Sequence, residues 1–203
     1  GVDGGLRVVE GAASHGLGTV DASLTRPSDS LVPQTTPMDD RVAFSNFWPD
    51  DDEIVRCAQY RVTFEQVRGD LPEPESERFL SFAAQILVKA GRPDLVPAGL
   101  EPHLMRYTAP PRLGFVPHSL FEIFVPEYWK NNYQSGEFFR GKIVVVGAEG
   151  NWQHDEAPTP FGSMPGPELH LNASTAALHR GFHPETSGPL AVLRAIRAGV
   201  SPP

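Results

Sequence analysis

The most regular pattern of apolar and polar positions in the chain predicts a helix from Glu77 to Ala90. Its apolar side chains recur at three- and four-residue intervals, which places them on one buried face. They are Phe79, Ala83, Ile86, Leu87 and Ala90. Ser76 precedes this segment as a candidate N-cap, and Gly91 follows it where a left-handed residue commonly ends a helix. We expect this helix to be scaffold.

A run of β-branched residues predicts the strongest strand of the chain. Lys-Ile-Val-Val-Val stands between Gly141 and Gly147, and such an unbroken run is typical of a strand buried on both faces of a parallel sheet. After a loop, a second helix is predicted from Glu168 to Arg180, with Pro167 at its start and Gly181 at its end. Strand, loop and helix in this order form half of a crossover unit.

Shorter patterns fill the rest of the chain. The apolar pieces before residue 21 fit either paired strands or one short helix. Further strands are expected at Val42 to Phe47, within Ile54 to Val67 and at Arg106 to Thr108, and helical turns at His118 to Val125 and Glu127 to Tyr133. The predicted fold class is α/β, with a mixed, largely parallel sheet, flanking helices and long loops rich in Pro and Gly.

Composition narrows the class of protein. The 203 residues include 17 Lys and Arg against 25 Asp and Glu, and an acidic chain without a basic block is a poor partner for nucleic acid. A single cysteine, Cys57, excludes an internal disulfide framework and a Cys-rich zinc site. Apolar runs reach roughly six residues, well short of the ~20 that cross a bilayer. The chain opens at Gly1 without Met, so we expect it to be a segment of a longer protein.

Candidate chemistry is concentrated after the predicted strand, where open α/β sheets bind ligands. The loop carries Glu149, Trp152, His154, Asp155 and Glu156, and the second helix adds Glu168, His170 and Asn172. Side chains of these types suit three chemistries: metal binding, phosphate binding and hydrolysis.

Each of these three chemistries has a weak pattern here. His154 and His170 stand near carboxylates, but the spacing is not HExxH, and adjacent loop residues rarely bind one ion together. The turn at residues 147–150 lacks the spacing of a phosphate loop, and Glu149 would repel phosphate. A GxSxG nucleophile elbow is absent from the sequence. The residues alone therefore assign no catalytic group and no metal ligand.

A family resemblance is carried by residues 138–181. A Gly-Lys lead-in, a hydrophobic strand ending in Gly, Asp before Thr-Pro, and then Met-Pro-Gly, an acidic residue, His and Asn resemble the second type of CHASE sensory domain. The matching residues are Gly141, Lys142, Gly147, Asp155, Thr159, Pro160, Met164, Pro165, Gly166, Glu168, His170 and Asn172. A looser match lies upstream, at Asn46, Asp50, Asp52, Val55 and Arg56.

The resemblance implies an extracytoplasmic sensory domain, periplasmic or at the cell surface, in a membrane-anchored bacterial receptor. It implies no catalysis and no cofactor in these residues, a cytoplasmic adenylate cyclase or kinase as output, and a homodimer that responds to a small-molecule or protein signal. Residues 1–183 would be one sensor domain that lacks its N-terminal part, so that the chain is the C-terminal two-thirds of the family's domain. Residues 184–203 would lead toward a membrane segment.

The resemblance also points to ligand-binding residues, with a structural alternative for each. They are Asp155, Thr159, Glu168, His170 and Asn172. The alternative is that these polar groups bond local amides, cap the helix and set turns.

Two rival functions remain open at this point. One is a metal-dependent, hydrolase-like enzyme centred on His154, Asp155, Glu168 and His170, which would have to converge on one concave site. The other is a structural assembly module, which would bury a large interface instead.

Overall fold

The structure is a computed structural model and describes residues 7–9, 23–25, 41–148 and 155–182. These residues form short antiparallel strand pairs, four α-helices and the segments that connect them. The strand pairs are β1 (Arg7–Val9) with β2 (Ser23–Thr25), β3 (Cys57–Ala58) with β6 (His103–Leu104), β4 (Arg61–Val62) with β5 (Phe79–Leu80), and β7 (Glu156–Thr159) with β8 (Gly162–Pro165). The early apolar residues Val8 and Val9 lie in β1, whereas the second early apolar piece, residues 17–20, lies outside the described ranges.

The helices are α1 (Phe64–Val67), α2 (Phe82–Lys89), α3 (Pro126–Asn131) and α4 (Gly166–Leu178). Three 3₁₀ helices lie between them, at Pro93–Leu95, Leu120–Phe124 and Gln134–Phe139. Helices mixed with strands agree with an α/β class. The expectation of a largely parallel sheet is wrong for the described residues, because each strand pair has two antiparallel strands and a single bridge, Phe44 to Ser81, is parallel.

The first predicted helix begins five residues later than its periodicity indicated. Phe79 lies in β5 opposite Val62 and packs edge-on against the Phe64 ring, and this tertiary pairing outweighs the local helical pattern. Ser81, not Ser76, is the N-cap, and its Oγ accepts from the Ala84 amide at 3.1 Å. The predicted end at Gly91 is confirmed, since that residue is left-handed with φ of 75°.

The second predicted helix is confirmed as α4, and its predicted apolar face is buried: Leu169, Ala173, Ala176 and Ala177. Its end differs in detail from the prediction. Arg180 takes the left-handed conformation, with φ of 48°, and the Gly181 amide then donates to the Ala176 carbonyl at 2.7 Å.

The strand predicted between Gly141 and Gly147 is wrong. Residues 142–148 form no strand, and Ile143, Val144 and Val146 are 43%, 54% and 66% exposed. A β-branched run favours extended backbone, but a strand also needs a neighbour. The strand predicted at Arg106 to Thr108 is also misplaced, because β6 ends at Leu104, and residues 42–47 contribute only the bridge at Phe44.

Two apolar clusters form the core of the described residues. The larger cluster packs α4 against α2 and includes Met164, Leu169, Leu87 and Tyr60, with the Tyr60 hydroxyl donating to the Ala173 carbonyl at 2.7 Å. The smaller cluster contains Val42, Phe44, Val62, Val67 and Phe79. Helix α4 is therefore anchored in the larger core, and its polar residues are held at fixed positions.

Candidate functional site

Four of the five predicted ligand residues are buried at or near α4, and Asp155 is half-buried. They lie on the hairpin β7–β8 and on the helix that follows it. Thr159 sits at the hairpin turn, where its hydroxyl donates to the Gly162 carbonyl at 2.6 Å and accepts from the Phe161 amide at 3.2 Å. These bonds use the hydroxyl within the turn and favour a structural role for Thr159.

Asp155 lies against the first turn of α4. Its carbonyl accepts from the Gly166 amide at 2.7 Å, and a Cβ added to Gly166 would overlap the Asp155 carboxylate. An alanine at position 166 would therefore have to displace the Asp155 carboxylate. A carboxylate beside the N-terminal turn of a helix is stabilised by the positive end of the helix dipole.

Glu168 and Asn172 share one face of α4, because residues four apart on a helix are neighbours. Both Glu168 carboxylate oxygens accept from the Arg112 amide at 3.0 Å. The Asn172 side-chain oxygen accepts from the Thr108 amide at 2.9 Å, and its Nδ2 donates to the Glu168 carbonyl at 3.0 Å. Together they bind the backbone of residues 106–114, which we call the clamped loop.

Arg112 links the clamped loop to the hairpin as well. Its guanidinium lies 3.1 Å from the Glu156 carboxylate, which also accepts from the Ser163 hydroxyl at 2.8 Å. The backbone of Arg112 is left-handed, with φ of 63°, a conformation that costs a residue with a Cβ about 1–2 kcal/mol. The contacts with Glu156 and Glu168 therefore hold Arg112 in a strained conformation.

His170 faces a different side of α4 from Glu168, because residues two apart on a helix do not face each other. Its ring packs between Phe47 and Phe82, with centroid distances of 5.0 Å to each. The side chain is 9% exposed, and burial lowers the pKa of His170 to about 4. Its Nδ1 is buried and has no hydrogen-bond partner among the described residues.

The upstream residues of the resemblance form an ion-pair cluster. The Arg56 guanidinium contacts the Asp50 carboxylate at 3.0 Å and the Asp52 carboxylate at 2.7 Å. The hydrogen bond from Arg56 lowers the pKa of Asp52 to about 2. Since both carboxylates are engaged by Arg56, the cluster holds the turn before β3.

The described residues do not assemble the convergent site that the enzyme hypothesis requires. No group of three or more His, Cys, Asp and Glu side chains is arranged to hold a metal ion in this part of the chain. His154 and Trp152 lie outside the described ranges. Glu168 already binds the Arg112 amide, and His170 lies between aromatic rings on another face.

A shallow cleft of about 260 Å³ lies elsewhere on the molecule. Residues between 48 and 72 line it, including Trp48, Gln59, Gln66 and Leu71. Both glutamine side chains donate to the Leu100 carbonyl, at 2.8 Å and 3.3 Å. The cleft borders none of the five predicted ligand residues.

Sequence reasoning missed the partners of the predicted residues. Thr108 and Arg112 carry the backbone amides that Asn172 and Glu168 bind, yet they stand about 60 positions earlier in a proline-rich stretch. Glu156 was considered only as a metal ligand. The sequence did contain one indication of these partners. Glu168 and Asn172 stand four residues apart on a largely apolar helix, and polar side chains buried in this way need hydrogen-bond partners.

In the described residues, the buried polar side chains of α4 hold a distant loop against this helix. A family model described as the CHASE2 domain matches residues 8–196. The chain therefore belongs to the CHASE2 family of extracellular sensory domains, and the resemblance stated from the sequence is confirmed.

The comparison with curated proteins and the comparison with solved structures each gave no significant match. In the described ranges, no helix combines the length and the apolar character that crossing a membrane requires.

Proposed function

We propose that the chain is the non-catalytic, extracytoplasmic sensory domain of a membrane-anchored bacterial receptor that regulates a cytoplasmic cyclase or kinase. The observation that carries this proposal is the family match over residues 8–196. The buried polar contacts of α4 support a role in signal response, because Glu168 and Asn172 couple the helix to a loop far away in sequence.

In this proposal the clamped loop and the hairpin β7–β8 are the parts that respond. The loop is taken to have two arrangements on α4, and a signal molecule that binds one of them more tightly shifts the population toward it. The size of this shift is set by the difference between the molecule's affinities for the two arrangements. Asp155, Thr159, Glu168 and Asn172 set the geometry of this region, and His170 packs on another side of α4. These five residues are the proposed contacts with the signal. The strained backbone of Arg112 supports the choice, since such strain concentrates at switch regions.

The proposal is tested by measuring the unfolding temperature of the chain with added amino acids, organic acids, sugars or nucleotides. A separate series uses Zn²⁺, Mn²⁺ and Ca²⁺. A compound that binds only the folded state at 100 times its Kd adds about 2.7 kcal/mol to the free energy of unfolding. The sensor is supported by a metabolite shift that Asn172→Ala removes and the exposed control Asn131→Ala retains. A shift by Zn²⁺ or Mn²⁺ that disappears in His170→Ala would instead favour the metal-dependent enzyme.

The domain boundaries and the homodimer belong to the same proposal. Residues 1–183 would form the sensor, and residues 184–203, which lie outside the described ranges, would lead toward the membrane. A homodimer gives the receptor two copies whose relative packing a signal changes.

An assembly module is the second candidate function, and exposed apolar side chains favour it. Leu113, Val116, Phe121 and Phe124 are all at least 66% exposed, and contiguous apolar surface commonly marks a protein interface. Sedimentation equilibrium and the metabolite panel together distinguish the two candidates, because the proposed sensor also forms a homodimer. A stable oligomer that Phe124→Asp dissociates and the control Leu71→Asp leaves intact would support assembly if no small molecule shifts the unfolding temperature.

A further inference from the structure

His170 joins three parts of the fold at one point. His170 belongs to α4, and Phe82 is the first residue of α2. Phe47 lies in the segment just before the acidic residues 50–53. The two rings meet the imidazole at 77° and 47°. Ser174, one turn further along, donates to the His170 carbonyl and reaches the Ala83 carbonyl of α2 at 3.5 Å. The imidazole is therefore a packing element of the contact between α2 and α4.

The surroundings of this ring favour the neutral imidazole. Nδ1 is buried without a partner in the described part of the chain, and a protonated ring would need acceptors for both of its N–H groups. The rings of Phe47 and Phe82 supply no hydrogen-bond acceptor of the kind that an imidazolium requires. A charged group buried without partners is costly, so protonation and the packed arrangement oppose each other.

Charged groups on the neighbouring elements do not compensate a proton on His170. They are Arg41, Asp50, Asp51, Asp52 and Glu53 on the preceding segment, Lys89 on α2 and Glu168 on α4. Asp50 pairs with Arg56, and Glu168 binds the Arg112 amide. Burial is the one cause that lowers the pKa of His170, so no nearby carboxylate favours the charged ring.

We propose that His170 is an acid-sensitive contact, and that its protonation separates α4 from Phe47 and Phe82. The proton comes from the solvent and stays on the imidazole, so the change needs no other reactant. This inference rests on the proposed sensory function and names the external proton concentration as a signal. Separation of α4 would release Glu168 and Asn172, which hold the clamped loop.

The direction of the pH effect follows from the two protonation equilibria. An unfolded or opened His170 has its ordinary pKa near 6.5, whereas the packed ring has a pKa of about 4. Between these values the opened state binds more protons, so falling pH favours it. At pH 4.5 the opening equilibrium constant is expected to rise about 70-fold over its value at pH 7.5.

Hydrogen exchange of the 203-residue chain at pH 7.5, 6.0 and 4.5 tests this inference, with each rate corrected for the intrinsic pH dependence of exchange. Protection of the α2 and α4 amides should fall about 70-fold in the unaltered chain. It should fall much less in His170→Phe, which keeps the packing without a titrating group, and in His170→Gln, which serves if Phe packs poorly. The control His179→Phe, at an exposed position just past the same helix, should behave like the unaltered chain.

Two results would overturn the acid-sensitive contact. One is a His170 ring that titrates near pH 6.5 in an NMR experiment while α4 stays protected. The other is an equal loss of protection in both His170 variants and in the unaltered chain. Neither result touches the sensory function, which the metabolite panel at neutral pH tests separately.

Discussion

At the scale of single residues, Asn172 is a proposed contact with the signal that also has a structural role. It is fully buried, and it is the acceptor for the Thr108 amide. Replacing it with alanine removes the hydrogen bond to the amide of Thr108, which is an exposed residue, and a typical hydrogen bond contributes about 0.5–1.5 kcal/mol. We expect Asn172→Ala to lower the free energy of unfolding in urea by that amount.

The matched control for Asn172 is Asn131→Ala, at an exposed position in α3. Surface substitutions of this kind change stability by about 0.5 kcal/mol or less. Equal effects of the two variants would mean that Asn172 does not hold the clamped loop.

The carboxylate of Asp52 gives a second prediction at the residue scale. The hydrogen bond from Arg56 holds the pKa of Asp52 at about 2, below the value near 3.9 of an unfolded chain. The contribution of this pair to stability is therefore present above pH 3.9 and is lost as the pH falls through 2. Arg56→Gln should return the pKa of Asp52 toward 3.9 in a carbon-detected NMR titration. A pKa that stays near 2 in this variant would contradict the assignment of Arg56 as the cause.

At the scale of elements, the junction of hairpin and helix depends on Gly166. Alanine in place of glycine within a helix normally stabilises it by up to about 1 kcal/mol. Here the added methyl group would overlap the Asp155 carboxylate, so we expect Gly166→Ala to destabilise the fold by about 1–3 kcal/mol. Thermal unfolding measures the effect.

The controls for Gly166 use the same neighbourhood. Gly181→Ala meets its nearest atoms at 3.7 Å, an ordinary contact, and should change stability little. Asp155→Ala should make Gly166→Ala tolerable, since the overlapping carboxylate is then gone. A destabilisation that persists in the double variant would show that the overlap is not its cause.

The elements also show how far the sequence determines the fold. The face of α4 follows from its periodicity, because burial of a helix repeats with the helical period. The start of α2 does not follow, because Phe79 is drawn into a strand by Val62. The same limit holds for residues 142–148, where local β preference predicts extended backbone and says nothing about a neighbouring strand.

The candidate site was predictable only in part, for a related reason. Glu168, His170 and Asn172 could be chosen from their residue types and their positions on a predicted helix. Their partners depend on long-range packing. The left-handed backbone of Arg112 and the position of Phe47 beside His170 leave no local pattern in the sequence.

At the scale of the whole molecule, the two apolar clusters mark where the core ends. Neither cluster includes residues 113–148, and several apolar side chains there face solvent. The segment from His118 to Lys142 packs on its own aromatic rings, with Tyr133 stacked on Phe139 and the Lys142 ammonium 3.5 Å from the centre of the Phe138 ring. The stability of the core should thus be insensitive to polar changes in this region.

Val144 tests this division of the molecule, because the sequence and the structure make opposite predictions for it. In a strand buried on both faces, Val144→Lys would place an unpaired charge in the core and cost on the order of 4 kcal/mol or more. The side chain is 54% exposed, so we expect a change within about 0.5 kcal/mol in urea unfolding. Val62→Lys, at a core position that is 2% exposed, is the matched control and should unfold the chain. If Val144→Lys is as damaging as Val62→Lys, residues 142–147 are buried in the folded protein, and the apolar run has a partner that covers it.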